Sequence, residues 1–221
     1  MEDGNPMINV IYEDNHLLIV EKPVNIPVQA DSSGDMDFLT MLKSYIKEKY
    51  NKPSNVYLGL VHRLDRPVSG IMVFAKTSKA AKRLSSQIVK HEFKKTYVAV
   101  IQGKVNNCGT FVDMLEKDYK MNITRVSENG KRAELDYKLM EYKNGMSLVN
   151  INLKTGRSHQ IRVQFSSRGF PLYGDQKYNP KTKKDNIALF AKEIEFMHPV
   201  TKEKMHFSLP MPKRYPFSLF E

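Results

Sequence analysis

The chain from residue 56 to residue 75 reads VYLGLVHRLDRPVSGIMVFA. Its two ends, residues 56–61 and 70–75, are apolar runs of the kind found in buried β-strands. The short polar segment between them carries one carboxylate, Asp65, with Arg63 and Arg66 on either side. We therefore predict a loop that exposes Asp65 while two rigid strands fix its position, which is a common setting for catalytic side chains.

Asp65 has two interpretations. Flanking guanidinium groups favour the charged carboxylate, which accepts hydrogen bonds only and can act as a nucleophile or as a base. The alternative is a structural Asp–Arg pair in a turn, because ordinary ion pairs are more common than strongly perturbed carboxylates. This segment alone does not choose between the two.

Length and composition indicate a soluble globular protein. A chain of 221 residues with 41% apolar and 27% charged residues can bury one good core, so we expect a single domain over residues 1–221. No apolar run approaches the roughly 20 residues of a membrane span, and no secretion signal opens the chain. The only cysteine, Cys108, excludes an internal disulfide and a cysteine metal cage, so we predict a cytoplasmic protein.

Charge predicts the partner. The formal net charge is +11 and the pI is near 9.5, which is typical of a protein that binds a polyanion such as RNA or DNA. The alternative is that scattered surface lysines only keep the protein in solution.

Hydrophobic periodicity predicts more strands than helices. Helices are expected over Asp37–Tyr50, from Thr77 or Ser78 to about His91, and from His159 to about Arg168. Strands are expected in the ranges Ile8–Tyr12, His16–Val20, Tyr97–Ile101, Arg132–Tyr142, Met146–Leu153, Ile187–Phe196 and Lys204–Leu209. Asn144-Gly145 is a strong hairpin signal. The fold class is therefore α+β, with a mixed, mostly antiparallel sheet and flanking helices.

Three segments resemble one known family. They are His62-Arg63-Leu64-Asp65 with Ser69-Gly70, the run KTYVAVIQG at 95–103, and GRSHQIRV at 156–163 followed by GFPLYGD at 169–175. In this order and spacing they are similar to the RluA-like branch of the pseudouridine synthases. The resemblance runs from about Asn9 to Pro210, and two long motifs with a third make chance similarity improbable.

The resemblance implies the pseudouridine synthase fold, with an RNA-binding cleft across the sheet, and an isomerase that converts uridine in tRNA or rRNA to pseudouridine. The bond from N1 to the sugar is cut, the uracil turns, and C5 is joined to C1′. Nothing enters or leaves overall, so we expect no cofactor and no metal. We also expect a stand-alone catalytic domain without the S4 module of many relatives, and a monomer.

By the same resemblance, Asp65, Tyr97 and Arg162 are the catalytic residues. Asp65 attacks the sugar or the pyrimidine ring, or removes a sugar proton. Arg162 is expected to hold Asp65 charged and oriented, at the roughly 3–4 Å of a charge-assisted pair. Tyr97 would supply a flat surface for the extruded uracil, and the alternative is a core tyrosine whose hydroxyl has a partner.

Arg63 by resemblance fills the gap that the flipped base leaves, although an ion pair with Asp65 or Glu21 is the alternative. A phosphate contact, shared with free backbone N–H groups, is predicted for Arg157. Further RNA contacts are assigned to His62, Arg66, His159 and Gln160.

Two other functions are weighed against catalysis on RNA. The first is an RNA-binding protein that keeps the fold but does no chemistry. The second is a metal-dependent nuclease, which is disfavoured because the sequence shows no clustered carboxylates.

Overall fold

A computed structural model of the chain describes residues 8–180, 182 and 185–221. Close contacts between Cα atoms divide these residues into two compact units. The first contains the described residues up to Glu92 together with Met197–Met205, and the second contains Phe93–Phe196 and His206–Glu221. The prediction of one domain therefore stays a prediction, and the units are described one at a time.

The first unit contains four strands and two helices. They are β1 (Asn9–Glu13), β2 (Leu17–Lys22), α1 (Phe38–Lys49), β3 (Gly59–Leu60), β4 (Ser69–Ala75) and α2 (Ser78–Val89). β1 and β2 correspond to two predicted strands and form a hairpin, and the carboxylate of Asp14 accepts the backbone N–H groups of His16 and Leu17 in its turn. β2 pairs antiparallel with β4, whose seven residues are all buried.

Both helices of the first unit begin within one residue of the predicted starts. The side chain of Asp37 accepts the backbone N–H of Thr40 at the start of α1, and Thr77 accepts that of Ala80 at the start of α2. These caps satisfy N–H groups that have no partner inside a helix. Apolar residues on one face of each helix then become buried in the unit.

The second unit is built on an antiparallel sheet. Its elements are β5 (Lys94–Gln102), β6 (Cys108–Asp118), β7 (Ile123–Val126), β8 (Lys131–Lys143), β9 (Met146–Leu153), α3 (Gln160–Ser166) and β10 (Leu189–Met197). The strands are ordered β10-β5-β9-β8-β6-β7. β11 (Lys204–Ser208) pairs with β10, and a 3₁₀ helix (Phe217–Phe220) follows near the end of the chain. Asn144 and Gly145 both have positive φ, as the predicted tight hairpin turn requires.

α3 is short and buried. Residues 160 to 165 are all buried, although three of the six, Gln160, Arg162 and Gln164, have polar or charged side chains. Phe165 makes edge contacts with Phe111 at 5.0 Å and Tyr137 at 5.4 Å between ring centroids, which fixes the helix on the sheet. The polar side chains of α3 therefore need partners inside the protein.

Two sequence predictions differ from the structure. Residues 56–61 were expected to form a buried strand, but only Gly59–Leu60 pairs with β4, and the side chain of Tyr57 is 50% exposed. β6 and β7 were not predicted at all. In β6 the residues Val112 and Met114 are exposed while Phe111 and Leu115 face inward, so apolar residues on both faces hide the two-residue period.

The α+β class is confirmed, with helices beside sheets whose pairings within each unit are antiparallel. None of the helices in the described part of the chain has the length and apolar character needed to cross a bilayer.

Candidate active site

The loop that carries Asp65 connects β3 to β4 in the first unit. Lys22, at the end of β2, is fully buried and donates three hydrogen bonds to backbone carbonyls. The acceptors are the carbonyl oxygens of Pro23 at 2.7 Å, Arg66 at 3.0 Å and Val68 at 2.8 Å. One ammonium group therefore fixes the backbone just after Asp65, while Asp65 itself stays partly exposed.

Burial lowers the pKa of Lys22 to about 7. The negative charge of Asp65 has the opposite effect and raises this pKa, but burial outweighs it. The positive charge of Arg66 lowers the pKa further. Lys22 is thus a buried cation that responds to the charge of Asp65. In the sequence, a single lysine before a proline gives no sign of this burial.

We predict that Lys22→Met destabilises the protein by at least about 2 kcal/mol at pH 7, because three buried carbonyls lose their donor. The loss should also grow with pH. The folded protein releases the Lys22 proton near pH 7, whereas the unfolded chain holds it to about pH 10.5, so Lys22 makes the free energy of unfolding rise across this window. Urea unfolding of both proteins at pH 7, 8 and 9 measures the difference, and a difference that is constant with pH would contradict the buried titration.

The two arginines that flank Asp65 have different surroundings. Arg66 turns away and forms an ion pair with Asp35, and its Nη1 donates to the hydroxyl of Ser33 at 3.0 Å. Arg63 is exposed and makes no ion pair within the described part of the chain, so its predicted alternative role as a partner of Asp65 or Glu21 is not observed.

His62 holds the start of the same loop. Its Nε2 accepts the backbone N–H of Val73 at 3.1 Å, which ties the loop to the middle of β4. The role in RNA binding that we assigned to His62 stays a prediction, and the structure adds a positioning role for its ring.

In the second unit, Tyr97 lies on β5, opposite Ile151 of β9 and Ala191 of β10, and is 7% exposed. Lys95 projects from the same face, because side chains two residues apart on a strand point the same way. Burial lowers the pKa of Lys95. The face of β5 that carries Tyr97 therefore also carries a desolvated lysine.

Arg162 is held by a carboxylate that the sequence analysis did not pair with it. Its Nε and Nη2 donate to the two carboxylate oxygens of Asp175 at 2.8 and 2.7 Å. The side chains are 5% and 0% exposed, and the guanidinium also lies over the ring of Tyr178 at 5.1 Å. A two-point pair of this kind fixes both the position and the plane of a guanidinium.

The residue before Asp175 has to be glycine. Gly174 has φ of +72°, and a Cβ there would lie 2.5 Å from the carbonyl oxygen of Asn186. Both the left-handed conformation and the close approach require glycine. The carboxylate of Asp175 also accepts the backbone N–H groups of Lys177 and Tyr178. These hydrogen bonds fix its position independently of Arg162.

Two residues predicted to contact RNA lie inside the second unit. The amide of Gln160 is 3% exposed, donates to the carbonyl of Glu134 and accepts from the hydroxyl of Thr155. The Nδ1 atom of His159 lies 2.7 Å from the hydroxyl of Tyr178. This placement argues against a direct RNA contact for Gln160, because both ends of its amide already have protein partners.

Arg157 is exposed, as an RNA contact requires, but its backbone N–H is already used. That N–H donates to Gln160, and the guanidinium Nε donates to the carbonyl of Arg132 at 2.9 Å. The backbone N–H of Arg157 itself is therefore not available to a phosphate. The guanidinium of Arg157 stays a candidate for a phosphate contact.

Among the described residues, no group of three or more His, Cys, Asp or Glu side chains is arranged to hold a metal ion.

Comparison with known proteins agrees with the motifs. The family model described as RNA pseudouridylate synthase matches residues 16–167. An uncharacterized RNA pseudouridine synthase of Bacillus subtilis is 36% identical over 93% of this chain and 69% of its own length. Ribosomal large subunit pseudouridine synthase C of Buchnera aphidicola is 33% identical over 94% of this chain and 68% of its own length. This chain therefore spans about two thirds of these relatives.

Solved structures support the fold. The human RNA pseudouridylate synthase domain containing 4 has a TM-score of 0.79, with 20% identity over 96% of this chain and 92% of that one.

Residues 16–167 include the Asp65 loop, the Tyr97 strand and the Arg162 helix, so the motifs and the family match fall on the same part of the chain. The chain belongs to the RNA pseudouridylate synthase family, isomerases that convert uridine in RNA to pseudouridine.

Proposed function

We propose that the protein isomerises specific uridines of ribosomal RNA, with Asp65 as the catalytic carboxylate, with extrusion of the target base and without a cofactor. The observation that carries the proposal is the fixed backbone of the Asp65 loop, because fully buried Lys22 bonds to the two carbonyls that follow Asp65 at positions 66 and 68. A partly exposed carboxylate on an immobile loop is suited to act on a bound substrate.

Large-subunit ribosomal RNA is the target class that the relatives support. Several of them are named ribosomal large subunit pseudouridine synthase C or D, at 29 to 34% identity. Transfer RNA, which the sequence analysis also allowed, is the second target to test. The predicted cytoplasmic location and monomeric state belong to the same proposal.

The reaction needs only groups that this chain contains. Asp65 attacks the sugar or the ring, or removes a sugar proton, and each route releases the uracil from C1′. The freed base turns, C5 bonds to C1′, the proton on C5 leaves to solvent, and N1 takes up a proton from solvent. The carboxylate is regenerated at the end, so the atoms balance without a donor or an oxidant.

Tyr97 is proposed as the surface on which the extruded uracil stacks. Its position on the middle strand β5 holds the ring rigidly, because β9 and β10 pair with β5 on its two sides. An aromatic face contributes about 1–3 kcal/mol per stacked base.

Arg162 is proposed as the cation that keeps Asp65 charged and oriented, a role that rests on the family resemblance. The two-point pair with Asp175 supports it, since a guanidinium in this role must be held in one plane. The 3–4 Å separation expected from Asp65 stays a prediction.

Arg63 is proposed to occupy the gap that the target base leaves in its stack. Its side chain is exposed and makes no ion pair among the described residues, so a planar cation is available for stacking and hydrogen bonding. We predict that Arg63→Lys, which keeps the charge but loses the plane, lowers kcat/KM about tenfold on a stem-loop RNA, where extrusion costs a few kcal/mol.

The matched substrate for the Arg63 prediction is an unstructured RNA with the same target uridine. There the gap need not be filled, so the variant should approach the wild type. Equal losses on both RNAs would show that Arg63 acts through general charge instead of base extrusion.

Release of tritium from RNA labelled at uridine C5 tests the proposed function. Wild-type protein is incubated with labelled ribosomal RNA and, separately, labelled transfer RNA, without added cofactor and with or without EDTA. Release from ribosomal RNA that EDTA does not change supports the proposal and excludes the metal-dependent nuclease. Tight RNA binding without any release would support the non-catalytic alternative.

A further inference from the structure

A second basic and aromatic site lies in the first unit, at the end of β4 that is far from Asp65. A cavity of about 250 Å³ opens there, lined by Asn15, Ile46, Tyr50, Lys52, Tyr57, Lys76 and Thr77. The strand between Ser69 and Ala75 rises about 3.3 Å per residue, which separates the cavity from the Asp65 loop by roughly 20 Å. The cavity is therefore distinct from the residues proposed for the chemistry.

Glu13 fixes the inner wall of this cavity. Its carboxylate accepts hydrogen bonds from Lys49 Nζ at 2.7 Å, Lys76 Nζ at 2.8 Å and the hydroxyl of Tyr50 at 2.8 Å. Burial raises the pKa of Glu13, but these hydrogen bonds outweigh it and lower the pKa to about 2. At neutral pH one charged carboxylate thus holds two lysines and the ring of Tyr50 in a single arrangement.

The cavity keeps an excess of positive charge. The ammonium groups of Lys76 and Lys52 lie 4.8 and 5.9 Å from the ring centre of Tyr50. Lys52 is exposed, and its side chain makes no ion pair with any residue that the structure describes. Lys49, Lys52 and Lys76 together carry three positive charges, and Glu13 carries one negative charge. The net charge of this group is therefore positive and attracts anions.

The outer wall is a second aromatic ring. Tyr57 is 50% exposed and Tyr50 is 47% exposed, so both rings offer surface to a ligand. A Cβ at position 59 would lie 2.8 Å from the hydroxyl oxygen of Tyr57 and 3.0 Å from Cβ of Ala81. Glycine at position 59 therefore leaves the space in which Tyr57 lies against β3.

We propose that this cavity binds one unpaired nucleotide of the substrate RNA, away from the target uridine, with the base against Tyr57 and the phosphate at Lys52 and Lys76. The inference rests on the proposed function, since it takes RNA as the substrate. Exposed rings that stack on any base, beside cations that bind the backbone, are the two parts of a single-strand site. A base of a duplex has no free face to offer.

The cavity is small. Its volume of about 250 Å³ is below the roughly 300–1,000 Å³ of pockets for drug-sized ligands. A site of this size suits the single planar ring of one base.

The test compares variants for binding to fluorescent oligouridylate of twelve residues, with thermal unfolding as a check of folding. Tyr57→Ala and Lys52→Ala should each weaken binding about tenfold, while Tyr57→Phe keeps the ring and binds as the wild type. Lys47→Ala is the matched control, because Lys47 is exposed on α1 and does not line the cavity. Uridine monophosphate at millimolar concentration is a second probe.

Equal losses for Lys52→Ala and Lys47→Ala would show a general effect of charge and would overturn the proposal, as would wild-type affinity of both cavity variants. Saturable binding of uridine monophosphate that Lys52→Ala abolishes, without any effect on oligouridylate, would assign the cavity to a free nucleotide instead of RNA. If Tyr57→Ala does not fold, Lys52→Ala decides alone. Tritium release by the wild type is measured in parallel. Absence of release would contradict the proposed function, whereas the binding data test only the cavity.

Discussion

Asp65→Asn should abolish tritium release from C5-labelled RNA, with a fall of about a thousandfold or more, while RNA binding stays within about twofold of the wild type. The amide has the shape of the carboxylate but neither attacks nor takes a proton, and loss of an essential nucleophile or base costs several orders of magnitude. The loop should remain folded, because Lys22 holds it through backbone carbonyls and not through the Asp65 side chain.

The control for this variant is Asp118→Asn, which makes the same chemical change in the turn between β6 and β7. Its carboxylate oxygen accepts the N–H groups of Lys120 and Met121, and an amide oxygen can accept them as well. Turnover by Asp118→Asn should equal that of the wild type. Residual release above one tenth by Asp65→Asn, in a protein that binds RNA and folds normally, would remove Asp65 from the chemistry.

Asp175→Asn should lower the free energy of unfolding by about 3–5 kcal/mol, because it takes the charged partner of a two-point pair away from the buried Arg162 guanidinium. The substituted amide can still accept the two backbone N–H groups that Asp175 binds, so the loss reports the ion pair. With total stabilities of about 5–15 kcal/mol in proteins of this kind, the variant should be much easier to unfold in urea.

Two further variants make the Asp175 prediction specific. Arg162→Met combined with Asp175→Asn removes both charges and should recover part of the lost stability, since the buried guanidinium that lost its two-point partner is then removed as well. Asp35→Asn breaks the ion pair with Arg66, which is open to solvent, and should leave stability almost unchanged. A double variant less stable than Asp175→Asn alone would contradict a buried charge as the cause.

The sequence predicted those elements whose signals are local. Asp37 and Thr77, at which the predicted helices could begin, are the N-caps of α1 and α2, and Asn144-Gly145 forms the predicted turn from β8 to β9. These features depend on hydrogen bonds and backbone angles within a few residues, so neighbouring residues are enough to predict them. β6 was missed because its exposed apolar residues remove the alternation that identifies a strand.

The partners of charged side chains could not be predicted from neighbouring residues in the sequence. The sequence placed Asp65 between two arginines, yet Arg66 pairs with Asp35, thirty-one residues earlier in the chain. Lys22 reaches carbonyls forty-four and forty-six residues away. Neighbouring side chains in an extended loop point in different directions, so adjacency along the chain does not make an ion pair.

The sequence by itself determined the α+β class, the family and the motifs that contain Asp65, Tyr97 and Arg162, because these are carried by residue identity and spacing. Only the tertiary structure decided which groups hold them: Lys22 beneath the Asp65 loop, and Asp175 against Arg162. Burial removes water from such groups, and a buried charge or carbonyl then requires a partner that the fold brings from a distant part of the chain.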